Sequence, residues 1–356
     1  MSKNGYLYYN SDKDVFDALH SRKFGSQVIK EQLKDRGIIV SSQDTKDTII
    51  DYVSQLFLNY HDQVFIVETL NNSSSRKKYN KAVLSTNMSD VDIATVVDEV
   101  KVNNSQRLNE NVEITRQKDG KAFTIVTTYT EADLSKSVMS QKLTKSSEVY
   151  IWEDESGKIN IRGEQDRKSK EVIEMIQDKI KSEDESSESY VIELSTITDS
   201  IQRNKFFKIL ISSLDDLEVD DVKHVSFSII GGPDIEDDGT LLPHVKDLVL
   251  RGNSVLESSS FNQIYQSGYY ITKIEWSAIE KKLNGEKIDF SAEFSDTENC
   301  MDFNCAPLRF YKSKNDGTYQ TASNKLPNIA ISTLLEKIEK AAMCAHKTII
   351  DQNTPT

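Results

Sequence analysis

The sequence predicts an α+β protein: an N-terminal helical module followed by mixed antiparallel β-sheet and helix domains. Three observations carry this. Apolar residues recur at helical spacing through the first 72 residues. Beyond about residue 110, short β-rich runs are separated by glycine-containing turns. Helices with one apolar face fall between and after those runs. At 356 residues the chain is long for one core, so two or three domains are expected.

The elements follow in order. Residues 14–20 form a first helix. Val28, Ile29 and Leu33 place an apolar face on a second, and Ile49, Ile50, Val53 and Leu56 on a third. The segment 54–70, with Leu56, Phe57, Phe65, Ile66 and Leu70, ends in a fourth helix that packs on the others. Residues 71–80 are polar and small, which marks a linker. A helix over 90–102 buries Ile93, Val96, Val97 and Val100. Strands at 112–116 and 121–129 flank the turn 118–120, and strands at 148–152 and 158–162 flank Ser156-Gly157. Helix 167–181 shows Val172, Ile173, Ile176 and Ile180 on one side. The acidic run 181–189 is an exposed loop. A strand over 190–194, a helix over 199–214 buried through Ile201, Phe206, Phe207, Ile209 and Leu210, and a strand over 225–230 complete the middle. In the last third, 242–256 and 259–266 are expected to be helical, and 269–277, 287–294 and 307–311 to be antiparallel strands. Residues 329–349 form a terminal helix. The expected domains are therefore a helical module at 1–72, a basic polar linker at 73–87, an α+β domain with hairpins at 88–230, a C-terminal α+β region at 231–350 and a tail at 351–356.

Composition narrows the function. The net charge of −13 argues against a protein coated in basic surface that wraps duplex nucleic acid unaided. Charge is uneven, however: residues 1–80 hold 11 Lys+Arg and 10 Asp+Glu, and the rest hold 33 and 47. Nucleic acid would be met most easily near the N-terminus. The first residues lack a basic-then-apolar signal pattern and no apolar run reaches membrane-spanning length, so a cytoplasmic protein with no membrane partner is expected. Three cysteines (Cys300, Cys305, Cys344) are too few for a disulfide framework and fit a reducing compartment.

The segment Leu33-Lys-Asp-Arg-Gly37-Ile38, followed by Lys46-Asp-Thr-Ile49-Ile50-Asp-Tyr-Val53, resembles the SAP fold and related helix–extended-loop–helix domains. Gly37 stops the first helix in left-handed geometry, Ile38 and Val40 pin the loop, and Ser41, Ser42 and Asp44 are available to cap the second helix. The resemblance covers roughly a tenth of the chain. It implies DNA or RNA binding through Lys30, Lys34, Arg36 and Lys46, although the second helix also carries Asp44, Asp47 and Asp51. The linker Arg76-Lys77-Lys78-Tyr79-Asn-Lys81 adds four positive charges around one ring that could stack on a base.

Other chemistry is thinner. Asp234, Glu236 and Asp237 follow an apolar strand and offer a magnesium site; with Glu280-x-Lys282 they resemble the PD-(D/E)xK nuclease pattern. Glu280 and Lys282 fall in a polar, turn-like stretch, which disfavours that match. Cys300, Cys305, Cys344 and His346 could supply zinc ligands, but Cys344 and His346 at a two-residue helical offset face apart, so buried free thiols are the better reading. None of the five histidines has an obvious Ser or Cys partner, and Gly231-Gly232 lacks the following Gly-Lys-Ser/Thr of a phosphate loop. Trp152 and Trp276 are expected in the core. No cofactor is expected.

The expected function is a non-enzymatic, nucleic-acid-binding adaptor subunit that also docks a partner protein; the architecture suggests bacterial anti-phage defence by association alone. The alternatives are a magnesium-dependent nuclease and a protein–protein scaffold without a nucleic-acid role.

Overall fold

The computed structural model describes all residues except 1–9, 72–76, 87–89, 106–109, 118–120, 230–246, 283, 315–316 and 354–356. The chain forms two compact units, one of residues 1–75, 101–114 and 126–147, the other of residues 76–100, 115–125 and 148–356.

The smaller unit is built on α1 (Asp12–Leu19), α2 (Ser26–Asp35), α3 (Lys46–Ser54) and α4 (Tyr60–Asn71). Each start or stop has a local cause. Ser11 and Asp14 form a reciprocal capping box at α1. At the end of α2 the Gly37 amide donates to the Lys34 carbonyl at 2.8 Å and the Ile38 amide to the Leu33 carbonyl at 2.9 Å. This closure requires Gly37 at φ +76°, which glycine adopts without a Cβ penalty. The Thr45 hydroxyl accepts the Thr48 amide to open α3, and Asn59 and Asp62 cap α4 reciprocally. Val15, Leu19, Phe24, Ile29, Leu33, Ile49, Ile50, Val53, Ile66 and Leu70 form the core, joined by Met139. Two expectations fail. Val28 is 36% and Phe57 77% exposed, because α2 buries only the Ile29/Leu33 pair and Phe57 lies in the turn before α4.

The sheet contains β1 (Tyr79–Ser85), β2 (Glu110–Gln117), β3 (Ala122–Ala132), β4 (Lys142–Glu153), β5 (Ile159–Glu164), β6 (Glu188–Val191), β7 (Leu217–Ser228), β8 (Asp247–Arg251), β9 (Tyr270–Glu280), β10 (Lys287–Asp296) and β11 (Met301–Tyr311). Among the described residues its order is β2-β3-β4-β5-β1-β11-β10-β9-β7-β8, with β6 pairing along β1. The helices are α5 (Asp90–Ser105), α6 (Arg167–Glu183), α7 (Ser200–Ser212), α8 (Ser259–Gln266) and α9 (Asn328–Asn353). The α+β class is as the sequence predicts.

The linker is not. From residue 79 the expected linker 73–87 is strand β1, paired with β5 on one side and with β11 and then β6 on the other. The expected boundary between a middle and a C-terminal domain also disappears, since one sheet runs through both. The helix expected over 242–256 is instead β8 and a short 3-10 turn, Val255–Glu257, where these residues are described. Ile201, expected inside, is 56% exposed on α7. The turn expected at 118–120 and the acidic stretch 231–238 lie outside the described residues.

In the larger unit, Phe206 and Phe207 of α7 meet Phe294 and Phe303 with ring centroids 5.4–5.7 Å apart, and Trp276 stacks on Phe290. Leu335, Ile338, Ala342 and Ala345 of α9 complete this core. On β5, Gly163 lets α6 approach closely: a Cβ there would lie 2.6 Å from Ile173 Cδ1.

Candidate functional site

In the helix–extended-loop–helix segment, three of the four basic residues assigned to nucleic acid brace the fold. Lys30 Nζ donates to the Ser41 carbonyl at 3.0 Å, and Lys46 Nζ to the Ser21 carbonyl at 3.3 Å. Arg36 Nη2 donates to the Phe57 carbonyl at 2.9 Å, with Nη1 3.5 Å from the buried Asp62 carboxylate. Lys34 is exposed on α2. The helical stretch 10–71 carries 7 Lys+Arg against 10 Asp+Glu, so the segment is itself acidic.

Large apolar side chains on the same segments lack cover. Ile39, in the extended loop, is 91% exposed; Phe57 and Tyr60, before and at the start of α4, are 77% and 74% exposed. Arg36 ties these segments together, because it ends α2 three residues before Ile39 and holds the Phe57 carbonyl. Tyr52 on α3 adds a further half-exposed ring. Sequence pattern places Phe57 toward the core and gives Ile39 no signal of its own.

The basic cluster at 76–81 does not form a free surface. Arg76 lies outside the described residues. Lys77 pairs with Glu164, and Lys78 with Glu293. Lys81 reaches Glu339 at 3.4 Å and lies over the Trp152 ring, 5.0 Å from its centroid. Tyr79 is half-buried; desolvation, with Glu164 and Glu148 nearby, pushes its phenol up to about 12. Charges paired with carboxylates release fewer counterions to a phosphate backbone, which weakens Lys77, Lys78 and Lys81 as phosphate contacts. Alternation along β1 puts Tyr79 and Lys81 on one face, and Lys78 precedes the strand.

At the centre of that face is a buried ion pair. Arg162 on β5 donates Nε–H to Glu339 Oε1 at 2.5 Å and Nη2–H to Oε2 at 2.7 Å, with both side chains at most 5% exposed. Arg162 also lies 4.8 Å from the Trp152 centroid. Trp152 is only partly buried and stacks on Tyr150, whereas Trp276 is fully enclosed. A second knot surrounds Asp289, which is 3% exposed and receives Lys223 at 2.7 Å, Arg309 at 2.8 Å and the Tyr311 hydroxyl at 3.1 Å.

The metal readings gain no geometry. Asp234, Glu236 and Asp237 lie outside the described residues. Glu280 ends β9 and holds Lys282 at 2.7 Å and the Glu286 amide at 3.0 Å, so it closes a turn. Among the described residues, no group of three or more His, Cys, Asp or Glu is placed to hold a metal. Cys300 and Cys305 are buried thiols, raised by desolvation, whereas Cys344 is exposed, contrary to expectation. His346 is locked in place: its ring contacts the Tyr190 hydroxyl through Nδ1 and the Glu193 carbonyl through Nε2 at 2.8 Å.

One pairing escaped the sequence reading. His224 and Ser226, two residues apart on β7, meet with Nε2···Oγ at 3.2 Å, and His224 Nδ1 lies 3.5 Å from Glu275 Oε1. The signal was His-x-Ser on a strand, where both side chains share a face.

No family model matches the sequence, and no curated protein matches it. Among solved structures, the di-domain ARO/CYC StfQ from the steffimycin biosynthetic pathway aligns at 11% identity over 76% of this chain and 96% of its own, with a TM-score of 0.16. A score that low carries no argument about fold or function. No helix among the described residues is long and apolar enough to cross a membrane.

Proposed function

We propose that the protein is an adaptor that docks a partner protein through its N-terminal helical unit. The observation that carries this reading is the exposure of Ile39, Phe57 and Tyr60 on segments joined by Arg36. Apolar side chains of this size left in water favour burial in a partner, at about 25 cal/mol per Å² covered. Asp35, Asp47 and Asp51 are exposed on α2 and α3, so the fitting partner surface offers apolar sockets rimmed by basic groups.

A second reading, nucleic-acid contact by the same unit, rests on a different observation. Among the described residues, Lys30 and Lys46 bond carbonyls and Lys34 stands exposed, with no carboxylate directly paired to any of the three. The acidic balance of the helical stretch supports the protein partner over this reading. Placement in an antiviral defence complex is compatible with an adaptor and has only associational support.

The test compares two variants of the full chain, Ile39→Ser/Phe57→Ser/Tyr60→Ser and Lys30→Glu/Lys34→Glu/Lys46→Glu, in binding to the purified partner identified from the source cells. Loss only in the first supports protein docking. Loss only in the second, with binding to labelled DNA or RNA that falls steeply with salt, moves the nucleic-acid reading forward.

A further inference from the structure

The larger unit holds a constellation that docking does not use. On β7, His224 and Ser226 sit between β8 and β9: His224 opposes Arg251 and Glu275, and Ser226 opposes Val249 and Lys273. The register of β7 against β9 shifts on both sides of this dipeptide step, between Val222 and His224 and between Ser226 and Phe227. Such irregularities re-aim side chains and are over-represented next to active sites. The Ser226 Oγ to His224 Nε2 distance is 3.2 Å, and His224 Nδ1 is 3.5 Å from Glu275 Oε1. His224 Nδ1 faces the Glu275 carboxylate, whose Oε1 also holds Lys273 Nζ at 2.8 Å; in the tautomer protonated at Nδ1, Nε2 is left as an acceptor for the serine proton, the arrangement of nucleophile, base and orienting acid that recurs on unrelated folds. Burial lowers the affinity of His224 for a proton; Glu275 acts against this, and Lys273 and Arg251 add to it. The imidazole is therefore held neutral at pH 7, as a base must be.

We propose that Ser226, His224 and Glu275 form a serine-nucleophile relay that hydrolyses small anionic carboxylic esters. The chemistry balances with water as the only co-reactant. Ser226 Oγ attacks the ester carbonyl carbon and its proton passes to His224 Nε2. The bond to the alcohol oxygen breaks, the alcohol leaves with that proton, and the acyl group remains on Ser226. Water then attacks the acyl carbonyl, gives a proton to His224, and the acid departs as Ser226 recovers its hydrogen. Glu275 is a positioning residue that acts through His224. The negative charge of the substrate is assigned from the exposed Arg251, cross-strand from His224; Lys273, cross-strand from Ser226, is held by Glu275 Oε1 at 2.8 Å.

The test uses the full chain, a fluorophosphonate probe with mass-spectrometric mapping of the label, and turnover of p-nitrophenyl hydrogen succinate against p-nitrophenyl butyrate. Stoichiometric labelling is expected at Ser226, absent in Ser226→Ala and slowed about 100-fold in His224→Gln. The succinate is expected to turn over faster than the butyrate. In Glu275→Gln the rising limb of the pH–rate profile should move to lower pH, a change that a merely structural role would not produce. Urea midpoints show whether each variant is folded. A folded wild type that takes no label at Ser226, or equal labelling of wild type and folded His224→Gln, overturns the relay. Equal rates on the two esters overturn the anion preference. None of these outcomes bears on docking by the N-terminal unit.

Discussion

Removing Glu339 should cost more than removing Arg162, although each breaks the same bidentate pair. Among the described residues, Glu339 contacts two cations: Arg162 at 2.5 and 2.7 Å and Lys81 at 3.4 Å, with the Glu336 carboxylate acting on Arg162 at longer range. Glu339→Gln therefore leaves two positive charges beneath α9 with their counter-ion gone. Breaking a buried pair in this way costs about 3–5 kcal/mol, and the second stranded cation places this variant at the upper end. Arg162→Met leaves Lys81 with Glu339. At 3.4 Å and an effective dielectric constant of about 20, that remaining attraction is about 5 kcal/mol before desolvation. Arg162→Met then loses chiefly hydrogen bonds and about 1 kcal/mol of contact with the Trp152 face, for a total near 2 kcal/mol. The double variant Arg162→Met/Glu339→Leu should recover most of the Glu339→Gln loss, because the more deeply buried of the two cations is removed together with its counter-ion. Urea unfolding followed by tryptophan fluorescence reads all three variants, since Trp152 adjoins the pair and Trp276 reports the core. An Arg162→Met variant as destabilised as Glu339→Gln would refute the assignment of Lys81 as second counter-ion.

Three further outcomes are expected. Gly163→Ala should lower stability by about 1–3 kcal/mol by driving a methyl into Ile173, and Gly163→Ala/Ile173→Val should recover part of that in the same urea assay. Asp289→Asn should cost about 2 kcal/mol, because Lys223 and Arg309 lose their shared carboxylate; a cost within 0.5 kcal/mol, roughly the range of an ordinary surface change, would contradict the knot around Asp289. Burial lowers the His346 proton affinity below the ordinary value of 6.5, against the pull of the Glu193 carbonyl. The unfolded chain thus binds the proton first, so this contribution is complete above about pH 6.5 and is lost as pH falls below it. His346→Gln should reduce the slope of stability against pH below about 6.5, and an unchanged slope would remove His346 as its source.

Helical periodicity made much of the architecture legible. The Ile29/Leu33 and Ile49/Ile50/Val53 sets are buried as spaced, and Gly37 closes α2 in the conformation its position implied. The hairpin of β4 and β5 was legible from Gly157 at its tip, at φ +76°. Strand β1 was not, because its polar residues read as a solvated linker. Lys77, Lys78 and Lys81 find carboxylates from β5, β10 and α9, 87 to 258 positions away, which local sequence cannot show. The pairing of His224 with Ser226 was visible only once residues 217–228 were placed on a strand and Glu275 was set opposite. For the same reason Ile39 gave no signal: its exposure depends on how α2, the loop and α3 pack.

The central claim is docking through the apolar side chains of the N-terminal unit. The most direct measurement is the dissociation constant of the full chain for its purified partner, for the wild type and for Ile39→Ser/Phe57→Ser/Tyr60→Ser, with circular dichroism confirming that both are folded. A loss of at least 100-fold in affinity, about 2.7 kcal/mol, is the expected result. Equal affinity for the two folded proteins would contradict the claim and shift attention to Lys30, Lys34 and Lys46.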